Sequence, residues 1–437
     1  MTSLQLLSPL PLPSPCLSTA TIHLLPSTTS CDQHHIYTHR YQQHQPDLLE
    51  LGIARLKLFQ TITLPAMERQ STRNFLWIIR TDPDLHAILR TQLMHTISES
   101  PLASRIVLVA DNHNAACMKM AGYLNENMVL LGSWSLLNQY LVAAKQQLRT
   151  VLETRLDADD ALNRQYLETV QHTAPASLQD PKDWAFWCVH YHDEWHVAPP
   201  ARMLRRQRNV PLPMVYGHVD GVQASRCITA GLTVGFGVNA SRADFPGNMV
   251  HTKIEDLIPD CQDERRNKLG LRNNGSTNNG NGGVQQNYNS TVAATPVTTH
   301  CLHKNILSHL PAALRACTTT STGMSEVSLL NSEPLIKEGP LPPNHPISLQ
   351  WDTIEQDFGV QRDTVRDARS YLLDHTQAIA ADNLKGQCTE GHTCKPETQA
   401  LLRSLANGTG GKDEAAATKD SQSQQPQTVN QAVTTAQ

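Results

Sequence analysis

Aromatic residues make up only 5% of the 437-residue chain and hydrophobic residues 39%, less than a chain packed from end to end carries. Parts of it are therefore expected to lie outside any core. No run of 18 or more apolar residues occurs, so no transmembrane segment is evident. Lysine and arginine form no long cluster and the formal net charge is −4, which gives no support for a nucleic-acid partner. The ten cysteines form no CxxC pair, against a zinc ribbon or a thioredoxin-type motif. GxGxxG, GxSxG, P-loop and HExxH patterns are missing too, and with them the usual signatures of dinucleotide binding, serine hydrolysis, NTP hydrolysis and zinc proteolysis.

What the chain does have is a cluster of acids at the end of an extended run. Val151-Leu152-Glu153-Thr154-Arg155-Leu156 leads into Asp157-Ala158-Asp159-Asp160, and a helix is predicted from about Leu162 to Thr173. Before it, Asn74 to Asp82 and Arg105 to Asp111 read as buried strands, each ending in a polar residue. Leu85 to Ile97 and Gly132 to Leu148 have helical spacing between them, and Leu51 to Leu64 is a helix expected to end before Pro65. Strands alternating with helices imply parallel βαβ units, hence an α/β fold with a doubly wound, mostly parallel central sheet. Further strands are expected over Trp184 to His192, Pro211 to Val219 and Ile228 to Val238, and polar helices within Asp352 to Ala381.

Three segments read as lying outside the packed part. Residues 1–46, rich in Ser, Thr, Pro, His and Gln, are expected to be a disordered or targeting leader. An Asn/Gly-dominated insertion at 263–295 interrupts a domain spanning 47–385, and 386–437 is a low-complexity tail. Sequons at Asn239, Asn274, Asn289 and Asn407 tilt the location slightly towards the secretory pathway and the Golgi lumen. In such a compartment some cysteines would pair, Cys388 and Cys394 being the nearest candidates; the alternative is a set of reduced, small apolar side chains.

A strand that delivers clustered carboxylates at its C-terminal edge places them where an open α/β sheet has its ligand crevice. A hard ion such as Mg²⁺ or Mn²⁺ takes oxygen ligands, commonly one or two carboxylates plus substrate phosphates. Asp157 and Asp159 could therefore join a metal to a nucleoside diphosphate, with Asp160 capping the next helix. The competing reading is that the acids only cap that helix. Downstream, Asp193 and Glu194 within Tyr191-His192-Asp193-Glu194-Trp195-His196 are candidates for a general base. His303 is a candidate late metal or diphosphate ligand.

Two blocks carry a resemblance. Phe59 to Ile79 and Arg155-Leu156-Asp157-Ala158-Asp159-Asp160-Ala161-Leu162 resemble the putative rhamnosyltransferase family, itself similar to glycosyltransferases of the GT-A fold. Arg55 stands at the position of the family's leading Arg, and Ala66 replaces its usual Ser after Pro65. The resemblance implies a GT-A-like sheet and transfer of a sugar, rhamnose by the family's name, from a nucleoside diphosphate donor to a glycan or other hydroxyl acceptor. It implies Mn²⁺ or Mg²⁺ at Asp157 and Asp159, with His303 as a further ligand. Nucleotide-sugar contacts are expected at Arg55, Asp111, Arg155 and Asp157, and Glu194 or Asp193 is the carboxylate considered for proton transfer. The alternative function is a catalytically inactive carbohydrate- or nucleotide-binding protein of the same fold.

Overall fold

The computed structural model describes residues 33–112, 124–145, 149–179, 184–197, 215–224, 227–228, 230–238, 240, 262–263, 301–307, 310–321 and 346–389, with positions 399 and 403. The strands are β1 (Gln33–Tyr41), β2 (Leu76–Thr81), β3 (Ile106–Ala110), β4 (Val129–Leu131), β5 (Thr150–Asp157), β6 (Asp160–Leu162), β7 (Trp184–Cys188), β8 (Tyr191–His196), β9 (His218–Gln223), β10 (Thr233–Phe236), β11 (Gln262–Asp263), β12 (Cys301–Asn305) and β13 (Ala313–Cys317). The helices are α1 (Leu49–Leu58), α2 (Leu64–Glu68), α3 (Ala87–Glu99), α4 (Trp134–Lys145), α5 (Tyr166–Ser177), α6 (Pro346–Phe358), α7 (Arg362–Asp374) and α8 (Thr376–Thr389).

Nine strands form the large sheet in the order β11-β12-β7-β10-β5-β1-β2-β3-β4. Only β4 and β10 run against the rest, so the fold is α/β with a mostly parallel central sheet, as the strand–helix alternation predicts. One face, with Tyr37, Trp77, Ile79 and Leu152, packs on apolar side chains of α1, α3 and α5. The other, with Ile36, Ile78, Val107 and Val151, packs on Leu137 and Leu141 of α4. Both faces of β2 are buried, which is why its sequence is an unbroken apolar run.

The leader expectation needs correcting. Residues 33–41 form β1, hydrogen-bonded in parallel to both β2 and β5, and residues 1–32 lie outside the described residues. His35 and His39 are buried in this strand, and burial lowers both pKa values to about 3. They are neutral rings at any ordinary pH, which lets His39 pack edge-on against Phe59 and Trp77. Residues 264–300 and the tail beyond 389, apart from the two isolated positions, also lie outside the described residues. Asp263, expected to open the insertion, pairs with His303 in the sheet.

The helix expected to stop before Pro65 continues through it. Phe59–Thr63 forms a π-turn between α1 and α2, so Pro65 falls in the first turn of α2, where its missing N–H is tolerated. A second sheet, ordered β6-β13-β8-β9, was not expected from the sequence. Its apolar face, with Trp195, Val219, Leu314 and Ala316, packs on Ile62, Trp351, Ile354 and Phe358. A disulfide joins Cys188 at the end of β7 to Cys227. Among the described residues no helix is long and apolar enough to cross a membrane.

Because β1 lies between β2 and β5, a chain starting at Asp47 lacks a central strand and is expected to lose its cooperative thermal transition. Calorimetry and near-UV circular dichroism would check this; a sharp transition in that shorter chain would contradict the placement of β1.

Candidate active site

β2 and β3 follow β1 on one side of the sheet and β5 lies on the other. The order of strands thus reverses at the β1–β5 pair, where Arg40 stands opposite Asp157. The crevice beyond the C-terminal ends of such a pair is the usual ligand site of an open α/β sheet. Here it is bounded by the Asp157–Asp160 turn and by the chain leaving β1, in which Gln42 and His44 hold positive φ values of 51° and 62°. That conformation is costly without glycine and persists where the surroundings enforce it. Gln42 donates to Leu48 O at 3.1 Å and accepts from Arg55, and the His44 N–H donates to Asp82 Oδ2 at 3.0 Å.

The acidic turn is clamped from the helical side. The Thr63 hydroxyl, in the π-turn, lies 2.9 Å from Ala158 O and 2.8 Å from Asp160 O, sharing its proton between the two carbonyls. Gln70 donates to Leu162 O at 3.3 Å and Asn163 O at 3.0 Å and accepts from the Leu167 N–H. Thr63 and Gln70 come from the first block of the resemblance and the carbonyls lie in or just after the second. The two blocks are one physical unit.

Asp157 and Asp159 are partly exposed and Asp160 is buried. Burial raises the Asp159 pKa, with Asp157 adding to it and Arg55 opposing. Burial and then Asp159 raise Asp160 well above the carboxylate range, with Arg315 opposing. Carboxylates this close cannot all ionise at low cost without a nearby cation. The buried Tyr37 hydroxyl has no hydrogen-bond partner among the described residues, and Asp160 and Asp157 add to the effect of burial in raising its pKa. Arg55 donates to Gln45 Oε1 at 2.7 Å and Thr320 O at 3.2 Å, while Thr320 Oγ1 donates to Asp159 Oδ2 at 3.2 Å.

The second sheet supplies the adjoining wall. Asp160, Arg315, Glu194 and Asp220 form one transverse row across β6, β13, β8 and β9. Cys317, His196 and His218 form the next. Directly opposed residues share a face, so this polar face is the reverse of the one that packs on α6. The imidazoles of His192, at 3.4 Å, and His196, at 3.5 Å, hold the Glu194 carboxylate well below its usual range against the effect of burial.

The structure therefore gathers Arg55, Asp157, Asp159, Asp160 and Glu194 into one region. Asp193 points to the opposite face of β8, where burial and then Asp357 push its pKa up to about 6. Asp111 is buried against Arg80, at 2.5 Å, at the end of β3. Arg155 sits within β5, its backbone bonded to Leu232 O and the Gly231 N–H. His303 lies mid-strand in β12, three strands from β5, or about 14 Å at ordinary strand spacing. Asp160 caps no helix: it opens β6, accepts from the Ala316 N–H at 3.3 Å, and α5 starts only at Tyr166. Sequence reasoning missed Thr63, Arg315 and Thr320. Thr63 lay within a recognised block; the other two come from β13 and the turn after it, with no motif to mark them.

Comparison with known proteins bears on this region. A family model described as "Putative rhamnosyl transferase" matches residues 33–128, a segment that begins with β1 and includes Arg55, the π-turn and Gln70. The match supports glycosyl transfer. No curated protein matches the chain. Among solved structures, the crystal structure of S. aureus TarS 1–349 is similar at 13% identity and a TM-score of 0.17, over 41% of this chain and 39% of that one. The chain thus spans about two fifths of that TarS chain, and the likeness adds nothing to what the strand order establishes.

Thr63→Val keeps the shape of the side chain and removes the proton shared by the Ala158 and Asp160 carbonyls. The expected loss is about 1–3 kcal/mol of stability, read by denaturant unfolding; an unchanged midpoint would show that the turn holds itself.

Proposed function

We propose that the chain is a metal-dependent glycosyltransferase. It moves a sugar, of the rhamnose class by its family match, from a nucleoside diphosphate donor to a hydroxyl acceptor. The observation that carries this reading is the position of the Asp157–Asp160 turn: a clamped cluster of carboxylates at the reversal point of the sheet, beyond the end of the rhamnosyl transferase match but hydrogen-bonded to Thr63 within it.

The donor set fits a hard cation. Asp157 and Asp159 offer carboxylate oxygens, partly exposed, with the carboxyl pKa of Asp159 raised by burial and by its neighbour. The three aspartates do not bring three ligand atoms within 4.8 Å of one another. A Mg²⁺ or Mn²⁺ ion here would thus take one or two carboxylates and complete its shell with diphosphate oxygens and water. When bound, that ion would stabilise charge on the departing diphosphate. Arg55 holds the Thr320 carbonyl and Thr320 orients Asp159, which fixes the ligand before the donor arrives.

Of the two carboxylates considered for proton transfer, Glu194 is the one on the polar face shared with Asp160 and Arg315. Its depressed pKa makes it a weak acceptor of protons, so its charge is better suited to holding a partner than to deprotonating the sugar hydroxyl. The disulfide between Cys188 and Cys227 favours an oxidising compartment, in line with the secretory reading.

Asp159→Asn is expected to lower Mn²⁺-dependent turnover of a sugar nucleotide by on the order of 100-fold or more. The metal-free variant should be at least as heat-stable as the parent, because one desolvated carboxylate has been neutralised. Full turnover in that variant, or turnover of the parent unaffected by chelation, would overturn the metal assignment. Binding of nucleoside diphosphates with no turnover of any donor would favour the inactive, sugar-nucleotide-binding alternative.

A further inference from the structure

Among the described residues, two groups bring three potential ligand atoms within 4.8 Å of one another. In the first, Cys188, His190 and Cys227, the two sulfurs are already joined to each other. The second is Glu194, His196 and Cys317, on the polar face of the small sheet. We propose that these three residues bind a divalent transition metal of the zinc class, at a site chemically distinct from the Asp157–Asp159 contact. The proposal does not depend on glycosyl transfer.

The backbone accounts for the meeting of these side chains. His196 and Cys317 are direct partners in the parallel β8–β13 ladder, and Glu194 precedes His196 by two residues on the same strand face. His196 and Cys317 are buried, and Glu194 is half-buried. His196 Nε2 lies 3.5 Å from Glu194 Oε2, beyond the 2.7–3.2 Å range of about normal N–H···O bonds. Two ligands of one tetrahedral ion with bonds of about 2.0–2.3 Å stand roughly 3.3–3.7 Å apart. The separation suits shared coordination better than a hydrogen bond.

Two further observations point the same way. His196 Nε2 is buried and makes no hydrogen bond of normal geometry, its facing group being Glu194 Oε2 at 3.5 Å, an uncommon condition for a buried nitrogen that a metal would relieve. The other oxygen of Glu194 is steadied by His192 Nε2 at 3.4 Å and Arg315 Nη1 at 3.8 Å, so the carboxylate is held with Oε2 turned towards His196. Thiolate and imidazole donors select zinc-class ions, whereas Mg²⁺ and Mn²⁺ prefer carboxylate and water. With three protein ligands, a fourth position is left for water or another small donor, as in zinc sites that do more than brace a fold.

The test is a Co²⁺ titration of the full chain after chelation and buffer exchange, followed by near-ultraviolet absorption. The expected result is a thiolate-to-cobalt charge-transfer band that saturates at one equivalent and is displaced by Zn²⁺. Cys317→Ser should lose the band, His196→Asn should weaken binding by about tenfold or more, and Asp159→Asn should keep the parent band. No band in the parent, or an undiminished band in folded Cys317→Ser, would overturn the proposal and leave an ion-paired His–Glu–His cluster. Far-UV circular dichroism establishes folding. If Cys317→Ser does not fold, His196→Asn decides: parent affinity in that variant overturns the site.

Discussion

Three aspartates crowded into one turn repel one another, and partial removal from water makes that repulsion stronger. This constraint explains how polar groups are deployed around the end of β5. Thr63 and Gln70 do not touch the carboxylates; they hold the carbonyls in and just after the turn. Arg55 and Arg315 flank it with positive charge, and Thr320 supplies a hydroxyl to Asp159. Without a cation the arrangement is held together by its frame, which is the condition expected of a site prepared for a charged ligand.

The frame also explains why two sheets are needed. The large sheet, through β1 and β5, sets the floor of the crevice. The small one begins at Asp160 itself and turns a polar face of His, Glu, Arg and Cys towards it. Its opposite face is apolar and buried on α6 and the π-turn. A four-stranded sheet with one polar and one apolar face obeys ordinary alternation; what distinguishes this one is how much titratable chemistry the polar face carries.

Most of the large sheet was legible because β2 and β3 are short apolar runs separated by helical spacing, and β5 is an extended run ending in clustered acids. β1 was not. Its sequence, Gln33-His34-His35-Ile36-Tyr37-Thr38-His39-Arg40-Tyr41, counts as polar on any hydropathy scale, yet His35 and His39 are neutral when buried and His35 is satisfied by Thr154 and Gln171. Asp157 and Asp159 were visible as a spacing, and Glu194 as one of two adjacent acids. Which of those two faces the site depended on the strand phase of β8, and the partners Arg315 and Thr320 arrive from about 120 to 160 residues away by register alone.

The π-turn at Phe59–Thr63 carries a last consequence. Such a turn holds one residue more than an α-helical turn, and deleting that residue would restore a regular helix and relieve the local irregularity. Because the wider turn absorbs the extra residue, the helix beyond it would keep nearly its present phase, and the change would fall on the turn itself, which carries Thr63. The irregular turn is thus the place where one hydroxyl, that of Thr63, is presented to the acidic turn. In the evolution of such a chain, the loss of a single codon here could regularise the helix at the expense of that one contact, while the Gln70 clamp further along stays in place.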